Sequence, residues 1–280
     1  MLAGRPELFR MSELDEGLQA AFAKAAAREP LQRAAIGFVP ADARAVFMAW
    51  TALLEELREC AFELSDPRVT AAKAGWWAEE LDGVARGAAR HPLTRALVRQ
   101  GGPWAGLGDA LLTIASDDSP APDAEGAIAA LRPLAEPLVR LESHLFGAMS
   151  DLEGPACALA VHWLRLRLER GLEAADRGRV PLVLFARHGL RREQLAGPEG
   201  DTLRRDWARH LLTRLPGRPP RGWAYPRLIG LNADRQALQP AMAGRDASSG
   251  VLTGFSHVWL AWRCARNAAL RVAAPTLRTT

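Results

Sequence analysis

Carboxylates recur at helical spacing in two places. Glu55, Glu59 and Glu63 stand four residues apart within TALLEELRECAFEL, and Glu169 and Glu173 stand four apart within LRLERGLEAA. On a helix, that spacing aims side chains along one face. Two facing helices so equipped would offer the several oxygen ligands that magnesium needs. The neighbouring arginines argue the other way, because Arg58 and Arg170 would repel a nearby dication. Glu63 is expected to lean away from the shared face, and Glu169 toward Arg165 on a polar flank. No magnesium centre and no other cofactor is therefore expected; a relocated one would require Glu55, Glu59, Glu169 and Glu173 to converge.

Other candidates read more plainly as structure. Glu79, Glu80 and Asp82 follow the tryptophan pair Trp76-Trp77 and read as solvated helix-end acids. His91 and His188 lack the further His, Cys or Asp that a metal or a catalytic triad requires, so they read as capping groups. Gly178-Arg179 has the form of a phosphate-holding turn. Cys60, Cys157 and Cys264 are far apart, odd in number and flanked by apolar residues, which suits reduced core thiols.

The elements that must carry these residues are helices. Val46, Phe47, Trp50, Leu53, Leu54, Leu57, Cys60, Ala61 and Leu64 form one apolar stripe, leaving Thr51, Glu55, Arg58, Glu59 and Phe62 on the other side. Ser65-Asp66-Pro67 supplies a stop, a cap and a first-turn proline for a second helix through Trp76 and Trp77. Gly83 and Gly87 weaken that helix, and His91-Pro92 restarts the chain. Further helices are predicted over 104–115, 124–148, 155–176, 201–214, 227–242 and 250–271, with Pro133 and Pro137 kinking or splitting the second of these. The 155–176 helix is apolar on two sides, which marks a central position. Its face Leu159, Trp163, Leu166, Arg170 and Ala174 would turn Arg170 into an apolar cavity unless it is paired. A single all-helical domain over 1–280 accounts for the pattern.

Three stretches in register resemble the squalene/phytoene synthase family: FVPADARAVFMAW, SDPRVTAAKAGWWAEELDGVARGAARHPLTRAL and GRVPLVLFARHGLRREQLAG. The likeness is strongest over 38–97 and 154–197. It implies an all-α isoprenoid-synthase fold, a helical bundle around a deep central cavity. It also implies head-to-head coupling of prenyl diphosphates through two aspartate-rich motifs. Carried over by spacing, the first motif falls on Arg58, Glu59 and Phe62, and the second on Arg170 and Ala174. Most of the acids are gone and arginines stand among their replacements.

The expected function is accordingly a catalytically degenerate relative acting as a binding or assembly module, in the manner of respiratory complex I assembly factors. One alternative is a metal-independent binder of prenyl diphosphate or anionic lipid, using Arg58, Arg170 and Arg179 beside Thr51, Phe62 and Trp163. The other is an active magnesium-dependent prenyltransferase with relocated carboxylates. Isoprenoid diphosphates, anionic lipid and a protein partner are the expected partner classes.

The net charge is +4 and comes almost entirely from arginine, Lys24 and Lys73 being the only lysines. No basic block interleaved with aromatics marks a nucleic-acid site. No apolar run reaches the roughly 20 residues that span a bilayer, and acids occupy the early chain. A cytoplasmic location is expected, with peripheral contact at the inner membrane compatible with the arginine-rich surface.

Overall fold

The computed structural model describes residues 5–63, 66–117, 119–147, 150–172, 179–218, 220–242 and 254–268, with side chains from residue 16 onward. Among these residues there are thirteen α-helices and no strand. They are α1 (Arg5–Arg28), α2 (Pro30–Ala35), α3 (Arg44–Phe62), α4 (Pro67–Ala85), α5 (Pro92–Val98), α6 (Leu107–Ala115) and α7 (Ala124–Ala129). The order continues through α8 (Arg132–Phe146), α9 (Glu153–Arg170), α10 (Leu182–His188), α11 (Asp201–Arg214), α12 (Tyr225–Met242) and α13 (Gly254–Asn267).

The α3 stripe is buried as its spacing predicts, with Phe47, Trp50, Leu53 and Leu57 fully enclosed. Each such side chain contributes about 1.5–3 kcal/mol of burial. Helices α1, α4, α5 and α6 pack around α3, while α8, α11 and α12 pack around α9. The α9 helix is buried on nearly all sides, as its doubled apolar pattern predicts.

The start of α4 follows the sequence closely. The Asp66 carboxylate accepts from the Arg68 amide at 2.8 Å, with Pro67 in the first turn. Its end is tighter than the two glycines suggest. The helix runs through Gly83 and closes with Ala88 N–H donating to the Gly83 carbonyl (2.7 Å) and Gly87 N–H to that of Val84 (2.9 Å). Gly87 has φ 78°, the left-handed geometry this closure needs. Gly108 serves packing instead: a Cβ there would stand 2.8 Å from the Ala78 carbonyl oxygen, so its absence lets α6 lie directly on α4.

Several predicted spans change. The 124–148 span divides into α7 and α8, because Pro133 occupies the first turn of α8; Pro137 is tolerated inside that helix. The 155–176 helix ends at Arg170, and Ala174, Glu173 and Gly178 lie outside the described residues. The ends of the 250–271 span also lie outside them. No helix was predicted before residue 41, yet α1 occupies Arg5–Arg28 and packs along α3 through Leu18, Phe22, Ala25 and Ala26.

The tryptophan pair departs from expectation as well. Trp77 is buried and Trp76 is 41% exposed. Adjacent helical residues lie about 100° apart, which predicts that Trp76 and Trp77 wedge against separate neighbours and fix their helix beside α3; instead the rings meet edge-on at 5.0 Å and both contact His91, at 5.7 and 5.0 Å. Their helix lies mainly on α6 rather than on α3. His91 is the cap its position predicts, its Nδ1 accepting from the Leu93 amide at 3.3 Å.

Candidate functional site

The polar side of α3 is covered by cations from three other segments. Arg58, 2% exposed, grips Glu55 with Nε to Oε2 and Nη2 to Oε1, both at 2.9 Å, and reaches Glu63 Oε1 through Nη1 at 2.6 Å. Arg28, from the end of α1, bonds Glu55 and Glu63 and lies 3.4 Å from Glu59. Lys24, one turn earlier, holds Glu56 (2.8 Å) and Glu59 (3.0 Å). Lys73, from α4, holds the same two at 3.1 and 2.7 Å. The chain's two lysines thus close on one pair of glutamates from opposite sides.

The protonation states follow from this packing. Burial opposes ionisation of Glu59, but hydrogen bonds from Lys73 and Lys24 outweigh it and hold the carboxyl down at about 2. Glu56 and Glu63 are likewise lowered against burial, Glu56 by the lysines and Glu63 chiefly by Arg58. Arg58 is raised: its desolvation is more than offset by Glu55 and Glu63. These carboxylates are held ionised, each with a nitrogen donor on both oxygens.

Arg170 closes the far edge. Its Nη2 donates to the Arg28 carbonyl at 3.1 Å, and its Nη1 lies 3.8 Å from Glu63. The guanidinium is therefore paired rather than aimed into an apolar space. Phe62, at the third position of the first motif, packs on Trp163 with ring centroids 5.6 Å apart. Arg179 sits 5.0 Å over the Phe62 ring, donates to the Asp117 carbonyl at 2.9 Å and holds φ 55°.

Behind this cluster a second network fills the interior. Arg165 binds Asp234 (2.8 Å), Glu29 (2.7 Å) and Glu169 (2.9 Å), and His162 Nδ1 lies 2.8 Å from Asp234. Arg227 pairs with Glu142 through two bonds of 3.1 and 2.9 Å, and Trp50 Nε1 adds a third at 2.8 Å. The space left among α1, α3, α9 and α12 is about 40 Å³, lined by Thr51, Glu55, Arg58, Trp163 and Arg227 among others. Pockets for small organic ligands run to about 300–1,000 Å³. Buried Thr51 Oγ1 and Gln32 Oε1 have no partner there, which suits an ordered water at the roughly 30 Å³ that one occupies.

Several predicted residues therefore come together and others change role. Thr51, Glu55, Arg58, Glu59, Phe62, Trp163, Arg170 and Arg179 belong to one region. Glu63 belongs there too, contrary to expectation, because Arg58 and Arg28 draw it in. Glu169 turns to Arg165 as expected, so it is held apart from Glu55 and Glu59. Among the described residues no three His, Cys, Asp or Glu are grouped to hold a metal. Each α3 carboxylate meets ammonium or guanidinium nitrogen, and a dication there would have to displace those cations.

The acids beside the tryptophans also divide. Glu79 is exposed, but Glu80 is fully buried, accepting from the Arg90 and His91 amides (2.8 and 2.9 Å) and from Thr94 Oγ1. It anchors the α4–α5 turn instead of facing solvent. Two of the thiols, Cys60 and Cys264, are buried, and Cys157 is partly so; all three are free.

Solved structures share this arrangement of helices. A dehydrosqualene synthase crystallised with a ligand matches with a TM-score of 0.61 at 16% identity, over 91% of this chain and 97% of its own. The squalene synthase HpnC from Alicyclobacillus acidocaldarius matches with a TM-score of 0.53 at 19% identity, over 83% and 94%. The chain has the all-α isoprenoid-synthase fold. No protein-family model matches it, and no curated protein sequence does. Within that fold, the face of α3 that carries the polar cluster is the one to which the sequence resemblance assigns the first aspartate-rich motif.

Cations missed in the sequence decide the character of this region. Lys24 and Arg28 lie outside every predicted helix, and Lys73 was placed only by its helix. The available signal was scarcity: in a chain whose basic residues are otherwise arginine, both lysines serve the same carboxylates.

Proposed function

We propose that this protein is a squalene/phytoene synthase-like bundle that does not perform magnesium-dependent prenyl transfer and serves as a binding or assembly module. The observation that carries the reading is the neutralisation of Glu55, Glu56, Glu59 and Glu63 by Lys24, Arg28, Arg58 and Lys73. Diphosphate ionisation by metal needs carboxylates with free lone pairs that converge on the ion. Here both oxygens of each carboxylate already meet a nitrogen donor, and Phe62 lies against Trp163 where the motif would place an acid. The small interior space of about 40 Å³ supports the same reading.

The alternative in which Arg58 grips a diphosphate is not favoured, since that guanidinium is enclosed and both its edges are engaged by glutamates. The test is release of pyrophosphate from farnesyl or geranylgeranyl diphosphate by purified protein with magnesium. No release above the protein-free rate is expected. Magnesium-dependent release at turnover rates would overturn the proposal.

A further inference from the structure

The outward side of α13 differs in character from the rest of the bundle. Phe255, Val258, Trp259, Trp262, Arg263 and Arg266 follow i, i+3, i+4, i+7, i+8 and i+11 spacing, one face of the helix, and all are exposed. Phe255 is 80% exposed, and both tryptophans exceed 40%. Four large apolar side chains in a row facing water carry a hydrophobic cost that a free helix face does not recover.

The opposite face explains why the helix holds its orientation. Leu260, Ala261 and Cys264 are buried. The Tyr225 hydroxyl lies 3.3 Å from the Ala261 carbonyl, and Asn232 Nδ2 lies 3.2 Å from Cys264 Sγ. Helix α13 packs on α2 and α12, so its aromatic face is fixed outward.

Charge completes the pattern. Arg263 stacks over Trp259 at 4.6 Å and Arg266 over Trp262 at 5.0 Å, so each guanidinium is held at the rim of an exposed indole. Arg221 joins them, because the Gly222 amide donates to the Asn267 carbonyl at 3.3 Å and fixes its loop against the helix end. These three arginines, Trp262 and Asn267 line an open cleft of about 470 Å³, large enough for a phosphate-bearing head group. The sequence from residue 247 to 280 contains arginines and no acid.

We propose that this face of α13 docks on an anionic lipid bilayer. Phe255, Val258, Trp259 and Trp262 would enter the head-group boundary, where amphipathic aromatic rings settle, and Arg221, Arg263 and Arg266 would meet lipid phosphates. The docking surface is separate from the α3 cluster and does not depend on whether the bundle is catalytic.

The test is co-sedimentation of the full chain with vesicles of phosphatidylcholine alone or with added phosphatidylglycerol, together with quenching of tryptophan fluorescence by brominated lipid. The protein is expected to bind the anionic vesicles, more weakly in high salt, and to be quenched. Arg263→Gln with Arg266→Gln should lower partitioning about 25-fold, at about fivefold per basic residue. Trp259→Ser with Trp262→Ser should remove the quenching, and Phe255→Ser, at the most exposed position, supplies a variant that leaves the fold untouched. Three outcomes would overturn the proposal: no binding to anionic vesicles, equal binding to neutral ones, or self-association of the protein that the tryptophan variants abolish.

Discussion

Arg58 and Glu55 form a buried two-bond ion pair one turn apart on α3, both contacts at 2.9 Å. Glu63 shares the same guanidinium, and Arg28 shares the same carboxylates. A side chain that could carry metal chemistry is thereby used to close the interior. Removing one member leaves the others charged and enclosed. Arg58→Ala is expected to destabilise the fold by about 3–5 kcal/mol. Arg58→Met combined with Glu55→Gln and Glu63→Gln should recover most of that loss, because no enclosed carboxylate is left unpaired and half-exposed Arg28 keeps Glu59. Urea denaturation of the two variants measures both; a loss under 1 kcal/mol for Arg58→Ala would show that the pair is not sealed from water.

The lysine clamp makes stability depend on pH. Glu59 has a folded pKa of about 2, below its ordinary 4.5, and Glu56 and Glu63 are shifted in the same direction. Depressed carboxylates stabilise the fold fully above their unfolded pKa, and that contribution is lost as pH falls. The carboxylate contribution should hold down to about pH 4.5 and fall steeply toward pH 2. His91, lowered by burial, starts a shallower loss below about 6.5. Lys73→Met should lower the midpoint at neutral pH and flatten the acid limb. An unchanged acid limb in that variant would remove Lys73 from the explanation.

Glu80 satisfies two backbone amides and a hydroxyl in the turn between α4 and α5. Glu80→Ala leaves the two amides without a partner, while the Thr94 hydroxyl keeps the His91 carbonyl, and should cost about 2–6 kcal/mol, at about 1–3 kcal/mol per buried group. Glu80→Gln retains one acceptor oxygen and should cost less. Hydrogen exchange at the Arg90 and His91 amides reads the local effect: both should exchange faster in the alanine variant, while amides of α9 keep their protection.

Glu142 and Arg227 join α8 to α12 across 85 residues of sequence, with Trp50 donating from α3. Glu142→Ala should destabilise by about 3–5 kcal/mol through the arginine left behind. The double variant Glu142→Leu/Arg227→Met should be far milder. Thermal unfolding of Glu142→Leu, Arg227→Met and the double variant checks the coupling, which would be absent if the two single losses simply added.

What could be read from sequence was what is local. The α3 stripe, the Asp66-Pro67 start, the His91 cap and the Arg165–Glu169 pairing each depend on residues within a few turns, and each appears in the structure. The long-range partners could not be read. Nothing in α3 indicates that Lys24 and Arg28 would arrive from α1, and Glu80 looks solvated until the chain after Gly87 folds back to place two amides on it. Arg58 was recognisable as a reversal of charge at a motif position. That it would be spent on its own helix neighbours depended on Glu63 turning inward, which the helical spacing alone opposed.

We propose that nitrogen cations hold the α3 carboxylates where related chemistry would use metal. A crystal structure determined with manganese and a non-hydrolysable farnesyl thiodiphosphate tests it directly. No anomalous manganese peak is expected at Glu55, Glu59 or Glu63, with the Arg58–Glu55 and Lys73–Glu59 contacts intact. A manganese ion bound by two or more of those carboxylates, with Lys73 or Arg58 displaced, would contradict it.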